Sequence, residues 1–201
     1  MEISFRAKSF ALALLFITLL ISSVSATRSA DGTTSVEFIK ASCSVTAYPR
    51  LCYASLSTQA TAIQQSPRLL ADAALSVSLN TARSTAADMA ELLKLGGLRP
   101  REGTAIRECM EQLADSVDRL RRSTTEMTLI NRRRSSHFWL IIGDIQTWVS
   151  AALTDEDTCM DGFSAPTTCE VKTAVREKIS RVARMTSNAL ALVNHYAAIH
   201  G

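Results

Sequence analysis

Residues 66–97 read SPRLLADAALSVSLNTARSTAADMAELLKLGG, and this stretch decides the fold class. Ser66 offers a side-chain oxygen to cap a helix, and Pro67 follows at the first helical position, where a missing N–H costs nothing. Gly96-Gly97 ends a helix as glycine commonly does, and Pro100 argues against a quick resumption. Between these signals Leu69, Leu70, Ala73, Ala74, Val77, Ala82, Met89, Leu92 and Leu93 form a broad apolar stripe at helical spacing. The reading is one helix from Pro67 to Leu95 with one face turned to a core.

Downstream, a second helix follows Thr104, where Ile106, Met110, Leu113, Val117 and Leu120 recur at four and three residues and stack on one side. Glu111, Asp115 and Asp118 fall together on the opposite side as an outward acidic ridge. A third helix starts between Ser136 and Asp144 and carries Trp139, Ile145, Trp148, Val149 and Leu153; the polar segment Thr154 to Pro166, with Cys159 in it, reads as a loop. The fourth opens at Thr167, whose spacing to Glu170 is that of a capping box, and buries Val171, Val175, Val182, Ala189, Leu192, Val193 and Tyr196. Upstream, two short segments, Val36 to Cys43 and another reaching about Ser57, flank the Tyr48-Pro49 break as a helical hairpin. With 7 Gly and 4 Pro in 201 residues, alternating β-type runs are scarce. The expected fold is all-α: an up-and-down four-helix bundle with an N-terminal helical hairpin, stapled by disulfides.

Met1 to Ala26 has the three parts of a secretory signal peptide: basic Arg6 and Lys8, an apolar run from Ala11 to Ile21, and small residues at Val24-Ser25-Ala26. The run is too short to span a bilayer, so no membrane association is expected after cleavage. Residues 27–201 remain as one domain, secreted to the extracellular space. Losing Arg6, Lys8 and Glu2 takes the formal charge from +3 to +2, too near neutral to argue for nucleic acid. Cys43, Cys52, Cys109, Cys159 and Cys169 then meet an oxidising compartment and form at most two bridges with one thiol left over. Spacing alone leaves the connectivities open, with a local Cys43–Cys52 loop the simplest.

Enzymatic chemistry finds little support. The histidines are His137, His195 and His200, two of them at the C-terminus, and G-x-S-x-G, P-loop and H-E-x-x-H patterns are all missing. The cysteines lack zinc spacing, so neither a metal nor another cofactor is expected. Arg132-Arg133-Arg134 is the most basic stretch; ordinarily a solvated linker, its functional reading is adhesion to acidic wall polysaccharide.

The segment Trp148-Val-Ser-Ala-Ala-Leu-Thr-Asp-Glu-Asp-Thr-Cys-Met-Asp-Gly-Phe163 resembles the signature of the plant pectin methylesterase and invertase inhibitor family. Three further features agree in order: Cys43-x₈-Cys52 with Tyr48-Pro49-x-Leu-Cys, Arg107-Glu-Cys109-x-Glu-x-Leu, and Thr186-Ser-Asn-Ala-Leu-Ala-Leu192. The resemblance implies a four-helix bundle, bridges Cys43–Cys52 and Cys109–Cys159, and Cys169 as the free thiol. It also implies an inhibitor in the apoplast and cell wall that forms a 1:1 complex with a plant pectin methylesterase; acidic pectin is the further partner read from the Arg132 to Arg134 stretch, apart from the resemblance. The family's enzyme-facing positions fall on Glu111, Asp115, Asp118, Thr158 and Asp161. Invertase inhibitors of this fold typically carry Pro-Lys-Phe between the third and fourth family cysteines; none occurs between Cys109 and Cys159, which favours the methylesterase over the invertase as target. A wall polysaccharide-binding module is the reading from a different functional class.

Overall fold

The computed structural model describes residues 33–130, 137–163 and 170–200. The expected leader at residues 1–26, Arg132 to Arg134, the Thr167–Glu170 capping box and Cys169 lie outside the described residues. In chain order the elements are α1 (33–43), α2 (Pro49–Leu56), a 3₁₀ turn (Ser57–Gln59), α3 (Ala60–Ile63), α4 (Pro67–Leu95), α5 (Pro100–Leu129), α6 (Phe138–Asp161) and α7 (Glu170–Ala198).

One spacing rule builds the bundle. On α5 the buried residues are Ile106, Cys109, Leu113, Ser116, Leu120, Ser123 and Met127, alternating three and four apart. Along α6 and just beyond it, Ile142, Ile145, Val149, Ala152, Glu156, Cys159 and Phe163 repeat the alternation, and on α7 so do Val175, Ile179, Val182, Thr186, Ala189, Val193 and Tyr196. Ala71, Leu75, Ser78, Ala82, Thr85 and Met89 supply it on α4. This is the seam pattern of helices packed nearly in parallel or antiparallel register. Each long helix packs on two neighbours around a square: α4 on α5 and α7, and α6 on α5 and α7. α4 and α7 run antiparallel, since Thr81 meets Met185 while Asp88 meets Lys178, and so do α5 and α6, since Cys109 meets Cys159 while Ser116 meets Glu156. The expected up-and-down bundle is therefore observed.

Ser66 caps α4 by accepting from the Leu69 N–H, and Gly96 and Gly97 leave it at φ 72° and 81°, left-handed values that a residue with a Cβ adopts at a cost. Three details correct the sequence reading. First, α5 begins at Pro100, before Thr104: proline sits at the first helical position, and the Glu102 carboxylate reaches back to accept from the Arg99 N–H. Second, Thr154–Asp161 is the last part of α6, so Cys159 sits on a helix, because Asp155, Glu156 and Cys159 are all buried against neighbouring helices. Third, Trp139 is exposed and Trp148 and Leu153 are half-buried; the seam of α6 runs through Ile142, Ile145 and Val149 instead.

The hairpin docks on α4 and α7. The Cys43–Cys52 bridge closes it, and Asn188 of α7 fastens it. The Asn188 Oδ1 accepts from the Tyr48 N–H and its Nδ2 donates to the Tyr48 carbonyl, both at 3.0 Å, which satisfies two backbone groups at the turn where α2 starts.

Candidate functional site

The Cys109–Cys159 bridge pins α5 to the C-terminal part of α6, and the pairing in both bridges is the one implied by the family resemblance. Beside it the seam turns polar. Ser116 donates to Glu156 Oε1 at 2.7 Å, and Thr186 Oγ1 lies 2.9 Å from the same oxygen and 3.1 Å from the Val182 carbonyl. Thr186 has one proton for two acceptors. A neutral Glu156 resolves the count: its own proton goes to Thr186, and Thr186 then donates to Val182. The other oxygen, Oε2, is buried without a hydrogen-bonding neighbour, which an ionised carboxylate would hold at high cost. Burial pushes the Glu156 carboxyl up to about 7, outweighing the two hydroxyls that stabilise its charged form.

One turn outward, Arg119 Nε donates to Asp155 Oδ2 at 2.7 Å. Burial still raises the Asp155 carboxyl; Arg119 works against that rise and the nearby Asp115 adds to it. Asp115 therefore stands at the lip of the α5–α6 seam. Counting about 100° per residue from the bridge, Thr158 lies on the same flank, while Glu111 and Asp161 sit further round on the outer crests of α5 and α6. Glu111, Asp115, Thr158 and Asp161 are all exposed. Asp118 differs: Arg121 at 2.8 Å and Arg122 at 3.3 Å clasp it, and the Arg121 hydrogen bond and charge hold its carboxyl below the usual range.

The arrangement is an outward face along two helices, held by a bridge and a buried polar knot. Among the described residues no group of three His, Cys, Asp or Glu is placed to hold a metal ion. Sequence reasoning missed Asp155 and Glu156, which support this face from beneath. The signal lay on α5, where Ser116 occupies a seam position that a purely apolar helix would give to a larger side chain.

A family model described as plant invertase/pectin methylesterase inhibitor matches residues 37–192. The chain belongs to this inhibitor family. Among curated relatives, a "21 kDa protein" of Daucus carota is 46% identical over 165 residues, covering 82% of this chain and 86% of its own length. Pectinesterase inhibitor 11 of Arabidopsis thaliana is 41% identical over 187 residues, covering 92% of this chain and 93% of the relative. Pectinesterase inhibitor 10 of the same plant is 45% identical, and its match takes in 52% of its length. A crystal structure of a mutant form of a pectin methylesterase inhibitor from Arabidopsis superposes with a TM-score of 0.61 over 76% of this chain and 92% of that one, at 21% identity. That likeness establishes the shared fold. Both Arabidopsis relatives are named as pectinesterase inhibitors, and with the family model they place the chain among enzyme inhibitors.

Proposed function

We propose that this chain is a secreted inhibitor of a plant pectin methylesterase. The observation that carries the reading is the likeness, over nearly the whole length of both chains, to an Arabidopsis pectinesterase inhibitor. The absence of Pro-Lys-Phe between Cys109 and Cys159 supports the methylesterase over the invertase.

The inhibitor docks one-to-one with the α5–α6 face over the enzyme's pectin-binding cleft, so that the polymer is excluded. Nothing covalent is needed, and inhibition is reversible and competitive with pectin. Glu111, Asp115, Asp118, Thr158 and Asp161 make the contact, with Asp115 and Thr158 nearest the seam. Rigid helices suit this task, because a preorganised face loses little conformational entropy on binding. Residues 1–26 direct export and are removed, and the mature protein works in the apoplast, where it limits pectin de-esterification.

Size-exclusion chromatography with light scattering on a mixture of the oxidised mature protein and a plant pectin methylesterase tests the docking. A co-eluting species with one copy of each, dispersed by pectin fragments, is expected. Separate elution at micromolar concentrations would refute the docking.

A further inference from the structure

Where α7 borders α6, the Tyr48 turn and the outer face of α7 enclose an open groove of about 1080 Å³, with Met160 at its α6 edge. Arg50 stands on the turn side, and Arg176, Lys178, Arg181 and Arg184 line the helix side, with Glu177 the single carboxylate. The lining thus has a formal charge of +4, more than the +3 of the whole chain, so the rest of the molecule is slightly negative. Arg184 is held with its guanidinium 5.5 Å from the centre of the Tyr48 ring, and Lys178 pairs with Asp88. Among the described residues, no acidic side chain lies within salt-bridge distance of the exposed Arg50, Arg181 or Arg184.

The walls are fixed rather than loose: the Cys43–Cys52 bridge closes the hairpin, and Asn188 locks both backbone groups of Tyr48 onto α7. From Thr173 to Arg184 the groove follows α7 for about 16 Å at the helical rise per residue. It offers a protein partner little apolar surface of the kind that fills the core of an interface. Tyr48 is the one exposed large apolar side chain in it, and an arginine lies over its ring. A row of guanidinium groups along a concave track instead fits a linear chain of carboxylates, which arginine binds through paired hydrogen bonds.

We infer that this groove binds a stretch of de-esterified galacturonan, a polymer with one carboxylate on each sugar. The choice of a uronate rests on the proposed action against pectin methylesterase, whose product is this polymer; the groove and its charge do not depend on it. None of its lining residues belongs to the proposed enzyme-facing set. The inhibitor can therefore hold the product polymer with α7 while its α5–α6 face meets the enzyme, which retains it where de-esterification has already occurred.

The test is calorimetric titration of the full oxidised protein with an oligogalacturonate of defined length, its fully methyl-esterified form and an oligothymidylate of equal charge, alongside methylesterase inhibition on a short soluble substrate. Expected are binding of the oligogalacturonate that weakens with added salt, no binding of the ester, and much weaker binding of the oligonucleotide. Arg181→Ala with Arg184→Ala, both on the exposed face of α7, should weaken uronate binding about tenfold while circular dichroism and inhibition stay unchanged. No uronate binding, equal binding of ester or oligonucleotide, or loss of inhibition in the double variant would each overturn the inference. Uronate binding by a protein that inhibits no methylesterase would support the groove and refute the inhibitor reading instead.

Discussion

Glu156 is the residue at which sequence, packing and pH meet. It occupies a seam position on α6, touches hydroxyls from α5 and α7, and has its carboxyl raised from 4.5 to about 7 by burial. A carboxyl whose folded value is raised costs nothing below the unfolded value. Its ionisation opposes folding increasingly as pH climbs from about 4.5 to about 7, and the cost then levels off at about 3 kcal/mol. Glu156→Gln retains an acceptor for Ser116 and cannot ionise. Urea unfolding at a series of pH values should show the variant similar to the parent near pH 4 and more stable by a few kcal/mol at pH 8; a gap independent of pH would show that burial leaves the Glu156 carboxyl at its unfolded value. The ridge residues differ among themselves at the same scale. Asp118 is already held by Arg121 and Arg122, whereas Asp115 has its exposed carboxylate at the seam lip. Asp115→Asn should weaken methylesterase binding about tenfold, and Asp118→Asn less, in surface plasmon resonance. The reverse order would move the contact away from the seam.

At the scale of the element, legibility followed the strength of local signals. α4 is readable end to end because a serine–proline start and a glycine pair bracket it. Gly97→Ala should lower stability by about 1 kcal/mol through backbone strain alone, since no heavy atom lies within 4 Å of the added methyl; an unchanged melting temperature would show that the turn relaxes freely. α6 is harder to read. Its last two turns, Thr154–Asp161, have the composition of a loop, yet the alternation of three and four runs on through Ala152, Glu156 and Cys159. A carboxylic acid at a seam position hides the period from any reading that equates charge with solvent. Pro100 misleads in the same way, since proline ends one helix and equally well begins another. The bridges act on elements too. Cys109–Cys159 closes a span of 50 residues and Cys43–Cys52 a span of 9. By loop entropy, replacing the first pair with serines should cost about 4 kcal/mol and the second about 3. Denaturant midpoints of the two variants check the order, and a larger loss from the hairpin bridge would show that docking of α1–α3 matters more than chain entropy.

For the whole molecule, the bundle and its hairpin follow from amphipathic stripes that can be buried only against one another, and the family resemblance points to the α5–α6 face. Periodicity placed Glu111, Asp115 and Asp118 outward but could not show that Asp118 is internally paired, because Arg121 and Arg122 lie on the same helix at three and four residues and either could have turned to solvent. The basic groove was not legible at all. Arg50 and Arg181 are separated by most of the chain, and only the docking of the hairpin on α7 brings them together. The sequence draws attention instead to its one continuous arginine run, Arg132 to Arg134.

The central claim is inhibition of a pectin methylesterase, and methanol release from esterified pectin measures it directly. A plant methylesterase is assayed with increasing oxidised mature protein, beside a parallel assay of a plant acid invertase. Methanol release should fall with dose and recover as pectin is raised, with invertase untouched. Undiminished methanol release at saturating protein, above all with invertase inhibited, would contradict the claim.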